Sequence, residues 1–194
     1  TAMAVADGEL RFLHRKINLP TYGQLDEGKH YAGGRYVETF HVREQWRAGL
    51  LVCADLWNPA LVWLAALHGA TLLLTPISSA VEAVGAEFDN PGGWDINLRF
   101  YAMTYGLPLV MANRVGREGG LTFWGGSRIL GPFGEELARA GDDEQLLLAE
   151  IDYERVRKAR YLLPTVRDSN LALVRRETER LIEGLGVPEI VRKA

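Results

Sequence analysis

The chain has 194 residues, 47% hydrophobic and 24% charged, with a formal net charge of −3; this is the make-up of one globular domain and excludes disorder, collagen and repeat arrays. Twenty-two basic residues stand against 25 acidic ones without a Lys/Arg block, so there is no electrostatic footprint for nucleic acid. The apolar runs Leu50–Val52 and Leu61–Leu67 are far shorter than the 18 or so residues of a membrane span, and Thr1–Asp7 lacks the basic and apolar regions of a signal segment.

In chain order, Ala2–Arg15 reads as a hairpin turning at Asp7-Gly8, a pair that tolerates positive φ. Lys16–Gly34 reads as a long glycine-punctuated loop, a kind of connection that is usually functional inside a compact domain. Ala48–Cys53 is a short apolar run expected to be a buried strand. Asn58-Pro59 then opens a helix to His68, with Asn as cap, Pro in the first turn and Gly69 as a left-handed stop. Thr71–Thr75 is a second buried strand, and strand, helix and strand make a parallel βαβ unit. Asn90–Gly93 reads as a Gly/Pro loop before a helix over Trp94–Tyr105. Strands are expected at Leu107–Ala112, Leu121–Trp124, Ser127–Leu130 and Gln145–Ile151, with a turn at Gly131–Gly134. Helices over Tyr153–Leu162 and Leu171–Gly184, rich in Arg and Glu, complete an α/β pattern with mixed sheets.

Cys53 is the only cysteine, which excludes an internal disulfide framework and a cysteine-rich metal site and points to a reducing, cytoplasmic setting. The four histidines, at 14, 30, 41 and 68, are scattered. Cys53 falls where a buried strand meets a helix, a join that displays a nucleophile and leaves the following backbone N–H groups free for an oxyanion. The competing reading is a small core hydrophobe, since free cysteine is among the most buried residues. A thiol with an ordinary pKa of about 8.5 needs a base or cation nearby to react at neutral pH. His14-Arg15-Lys16 and Asp26-Glu27, in the upstream loop, supply candidates.

Taken together, three segments resemble motifs of the nitrilase (carbon–nitrogen hydrolase) superfamily. His14-Arg15-Lys16-Ile17-Asn18-Leu19-Pro20 with Tyr22-Gly23 and Asp26-Glu27 resembles its lysine motif, and Leu51-Val52-Cys53-Ala54-Asp55-Leu56-Trp57-Asn58-Pro59 its nucleophile motif. The third is Ala112-Asn113-Arg114-Val115-Gly116 with Glu118, followed by Phe123-Trp124-Gly125-Gly126-Ser127, Pro132 and Gly134. The resemblance spans about Glu9–Asp152 and implies an αββα four-layer sandwich and a Glu-Lys-Cys triad that cleaves a non-peptide C–N bond. It makes Cys53 the nucleophile, with Lys16 and the backbone N–H of Ala54 at the oxyanion. Glu27 becomes the partner of the lysine, or a holder of substrate and water. Tyr22, Trp57, Ser78 and Ser79 would line the pocket by analogy.

The family's general-base glutamate lies on an early strand well upstream of the lysine. Only 15 residues precede Lys16 here, and Glu9 and Asp7 are in no matching context, so the N-terminal part of the sandwich is expected to be missing. In glutaminase domains of glutamine-dependent NAD synthetases a glutamate follows the nucleophile; Ala54 stands there instead, which weakens a glutaminase reading. The expectation is a single domain over 1–194 with a C-terminal helical extension from 170. It would act on a small linear amide, carbamoyl compound or nitrile without cofactor, metal, nucleic acid or membrane. It would form a homodimer or larger homo-oligomer, with Leu171, Val174, Leu181, Leu185 and Ile190 packing either on a second subunit or on the chain's own sheet. A glutaminase-type ammonia supplier and an inactive scaffold are the alternatives.

Overall fold

A computed structural model describes residues 1–23 and 25–185. Strands β1 (Ala2–Ala6) and β2 (Glu9–His14) form an antiparallel hairpin whose turn residues Asp7 and Gly8 both have positive φ, 54° and 76°. The loop that follows holds one short 3-10 turn, Glu27–Lys29, and is folded back on itself by close backbone approaches. Gly34 donates its N–H to Lys16 O at 2.7 Å, and a Cβ on it would stand 2.1 Å from Arg15 O.

A six-stranded sheet forms the centre, in the order β10-β9-β6-β5-β4-β3. Its parallel middle is β4 (Trp46–Leu50), β5 (Leu72–Ile77) and β6 (Leu109–Asn113). Helix α1 (Pro59–Leu67) crosses from β4 to β5, and α2 (Asn90–Tyr105) from β5 to β6, so the expected βαβ unit occurs twice in succession. Asn58 Oδ1 caps α1 by accepting from Ala60 N–H at 3.1 Å, and Gly69 follows with φ 85°. On the helix-covered face a Cβ on Gly49 would meet Ala65 and Leu73 at 3.3 Å, which is why this strand carries glycine under α1. Leu73, Leu109, Met111 and Leu130 line that face and pack with Val62 and Ala65 of α1 and Leu98, Tyr101 and Ala102 of α2. Burial of this apolar surface, at about 25 cal/mol per Å2, stabilises the packing of both helices on the sheet. The other face shows Leu72, Leu74 and Val110 half-buried and Pro76 and Ala112 exposed.

The structure departs from the sequence-based expectations at five places. Asn90–Gly93 is not a loop but the first turn of α2, because Asp89 accepts from Gly92 N–H at 3.0 Å and Pro91 suits the opening turn. Strands β3 (Thr39–Arg43), β7 (Val115–Glu118) and β10 (Glu136–Arg139) were not anticipated. All three are edge or two-stranded elements with largely exposed side chains, so they carry no apolar run to betray them. Strand β7 pairs only with β8 (Leu121–Trp124), while β9 (Arg128–Leu130) joins β6 and β10. The strand expected at Gln145–Ile151 does not form: among the described residues no strand pairs with it, and Leu146 and Leu148 are 85% and 80% exposed. Helices α3 (Tyr153–Leu162) and α4 (Leu171–Leu185) appear as expected, α4 with no buried residue. Ile190 lies outside the described residues. Among these residues no helix is long and apolar enough to cross a membrane.

Candidate active site

The C-terminal ends of the parallel strands converge on one cleft, the usual location of a site in an open α/β sheet. Cys53 follows β4 and Ser78 follows β5, while Lys16 comes from the segment after β2. The chain leaves β4 through a tight 3-10 turn over Cys53–Trp57, and Cys53 itself has φ 48°. A non-glycine residue in this left-handed region is strained, and such strain accumulates at functional sites. The turn aims the Cys53 side chain into an open cleft of about 840 Å3, lined also by Lys16, Glu27, Tyr31, Ile77 and Ser78 and by Thr1 with Ala2 and Met3 of β1.

Lys16 Nζ donates to both carboxylate oxygens of Glu27, at 2.7 and 2.6 Å. The lysine side chain is 11% exposed and that of Glu27 32%, so the pair is sheltered rather than a surface ion pair. Burial pushes the Cys53 thiol above its ordinary pKa. The Lys16 charge and the N–H groups of Ser78 and Ala54 pull it back, Glu27 opposes them, and burial prevails. The cation that was expected to activate the thiol is therefore present and acting, yet it only offsets the penalty of the apolar surroundings.

A second, smaller hollow of about 40 Å3 also borders Cys53 and is lined by Tyr22, Trp57, Trp94 and Asn90 among others. Of the four residues expected to line the pocket, Ser78 borders both spaces, whereas Tyr22, Trp57 and Ser79 border only the smaller one. Burial and then the nearby Cys53 and Glu27 raise the Tyr22 phenol above its ordinary pKa. The Trp57 ring packs on Trp94 and Phe88, at centroid distances of 4.9 and 5.9 Å. Ser79 is 5% exposed and occupied: its Oγ accepts from Asn90 Nδ2 at 2.9 Å and Trp94 Nε1 at 3.0 Å. Glu9, on the hairpin, lies 3.1 Å from Arg11 and is exposed. Among the described residues no three His, Cys, Asp or Glu side chains gather as a metal site requires.

Two groups that shape the site drew no attention in the sequence. Asp55 is fully buried, and its carboxylate accepts four hydrogen bonds. Three come from the N–H groups of Ile17 (2.9 Å), Asn18 (2.8 Å) and Val52 (3.0 Å), and one from His14 Nε2 (2.9 Å). Burial alone would raise its pKa, but His14 and the three N–H groups outweigh burial and hold the carboxyl below its usual range. Asn113, at the end of β6, accepts from Ser79 N–H at 2.9 Å and donates to Gly125 O at 2.9 Å, tying the strand-end loops of β5 and β8 together. Both residues sit inside the quoted motifs; their burial and long-range partners are what the motifs alone do not show.

Residues 2–161 match the carbon–nitrogen hydrolase family model. The chain is 31% identical over 178 residues to N-carbamoylputrescine amidase of Solanum lycopersicum, covering 86% of this chain and 59% of that protein. The fold is similar to the crystal structure of a carbon–nitrogen hydrolase from Helicobacter pylori G27, with TM-score 0.78 and 34% identity, covering 86% of this chain and 60% of that one. It is also similar, with TM-score 0.70 and 29% identity over 87% of this chain and 57% of the other, to an amidase variant from Nesterenkonia sp. AN1. That structure shows covalent addition of the acetamide moiety of fluoroacetamide at its active-site cysteine. The chain thus spans about 60% of the length of these relatives. With matching sequence over most of its residues, a mixed sheet flanked by helices and the three motifs in order, the chain belongs to the carbon–nitrogen hydrolase family.

Proposed function

We infer that this chain carries the cysteine and lysine portions of an amidohydrolase site that cleaves a small linear amide or carbamoyl compound. The observation that carries the reading is the strained Cys53 facing the same cleft as the sheltered Lys16–Glu27 pair. The Cys53 thiolate attacks the carbonyl carbon, and the carbonyl π electrons move onto oxygen. Lys16 and the Ala54 N–H stabilise that oxyanion, a contribution worth about 10² to 10³ in rate for one donor. Collapse of the tetrahedral species breaks the C–N bond, the nitrogen takes up the proton that the thiol gave up and leaves as ammonia or amine, and a thioester remains on Cys53. Water then attacks the thioester, releasing a carboxylic acid, or carbamate from a carbamoyl group, and restoring the thiol. Glu27 holds Lys16 in place.

A lone free thiol suits a reducing, cytoplasmic setting. The exposed Leu171, Val174, Leu181 and Leu185 of α4 favour association as a homodimer. The test is intact-mass analysis of the complete protein incubated with a panel of aliphatic amides and carbamoyl compounds, with ammonia release in parallel. An acyl adduct that disappears in Cys53→Ala supports the reading. Undiminished ammonia release by Cys53→Ala overturns it.

A further inference from the structure

We propose that Asp55, held in turn by His14, is the positioning residue that keeps Lys16 and Cys53 in register. The two come from segments 37 residues apart in sequence, and the Asp55 carboxylate fastens both. One oxygen accepts the N–H groups of Ile17 and Asn18, immediately after Lys16. The other accepts Val52 N–H, immediately before Cys53, together with His14 Nε2, two residues before Lys16. The carboxylate therefore grips the backbone on both sides of the lysine and at the entrance to the strained turn.

Four donors fill the capacity of a carboxylate, so this group has nothing left to offer a substrate. It is also shut away from the cleft: the side chains of Asp55 and His14 are 0% and 2% exposed. Its influence on the reaction must pass through the geometry it sets. Sites of this kind tolerate little displacement, because a loose supporting contact weakens every electrostatic effect at the reacting atoms.

The inference rests on reading Lys16 and Cys53 as the reacting pair, so the readout is chosen to need no amide. Cys53 is the only thiol of this chain, and its alkylation by 4-vinylpyridine, which carries no amide, reports its thiolate as a function of pH. Asp55→Asn sets an amide NH2 against two N–H donors and releases the clamp. Among proteins shown to be folded by their thermal melts, Asp55→Asn is expected to move the alkylation midpoint upward. The slowing at neutral pH should be about tenfold, the effect of one pKa unit on the thiolate population. Lys16→Met should produce a shift of the same kind, and the double variant should show little beyond either alone, since both remove the same charge from the thiol. His14→Gln, which still presents an N–H to Asp55, should keep the wild-type profile, while His14→Phe should not; this pair decides the matter if Asp55→Asn fails to fold. A folded Asp55→Asn with the wild-type profile overturns the proposal. So does full additivity with Lys16→Met, or identical profiles for His14→Gln and His14→Phe. If the alkylation results hold while no amide is turned over, the clamp stands and the amidase reading falls.

Discussion

Replacing Gly34 with alanine should damage the site from a distance, and the structure gives the size of the effect. Gly34 lies against the strand end that carries Lys16. Its added Cβ would stand 2.1 Å from Arg15 O, 2.9 Å from Arg15 C and 3.1 Å from Arg15 Cβ. Two of these neighbours are backbone atoms of a segment pinned by Asp55, so they cannot yield as a flexible side chain would. The backbone must shift and the Gly34 N–H to Lys16 O bond of 2.7 Å must lengthen or break. Overpacking of this kind costs about 1–3 kcal/mol, with about 1 kcal/mol more for the hydrogen bond. For a domain of this size that is a drop in melting temperature of roughly 4–16 °C. Gly141→Ala is the matched control, because a Cβ there meets nothing within 4 Å and its φ is not in the left-handed region. Thermal unfolding followed by circular dichroism measures both variants, and the Cys53 alkylation profile reports whether Lys16 has moved. If Gly34→Ala melts within 1–2 °C of Gly141→Ala by the same assay and keeps the wild-type profile, the loop is not held as described.

Lys16→Met removes the cation that opposes burial at Cys53 and leaves Glu27 unneutralised, so acylation by an amide should slow by about 10² to 10³, read by single-turnover mass spectrometry. Asp55 has a depressed pKa in the folded chain, so its contribution to stability is fully present above the unfolded value of about 3.9 and is lost as pH falls through the folded one. The gap in urea midpoint between wild type and Asp55→Asn should therefore be widest above about pH 4 and narrow below it; a gap that stays constant with pH would contradict the assignment. Leu98→Ala, at a fully buried position between α2 and the sheet, should lower stability by about 2–5 kcal/mol in urea titrations.

Much of the architecture was legible because local chemistry and tertiary context agree. The Asp7-Gly8 turn, the Asn58 cap with Pro59, and the apolar runs at β4, β5 and β6 form as read, since each is dictated by its own residues or by complete burial. Cys53 and the Lys16–Glu27 pair were likewise visible as motif residues, and they face one cleft. What local reading lacks is a partner. Strands β3, β7 and β10 exist because a neighbouring strand offers a ladder, while Gln145–Ile151, more apolar than any of them, stays unpaired because none among the described residues does. The two serines after β5 look alike in sequence; only the fold turns Ser79 inward to Asn90 and Trp94 and leaves Ser78 at the cleft. Asp55 makes the same point at the centre of the site. In sequence it is one acid beside a cysteine, but burial removes water as a competitor. The carboxylate must then take its hydrogen bonds from the protein, and the donors that complete it come from a segment nearly 40 residues away. Residue types and their order thus determined the family and the candidate chemistry, and tertiary packing decided which side chains reach the cleft and which hold it in shape.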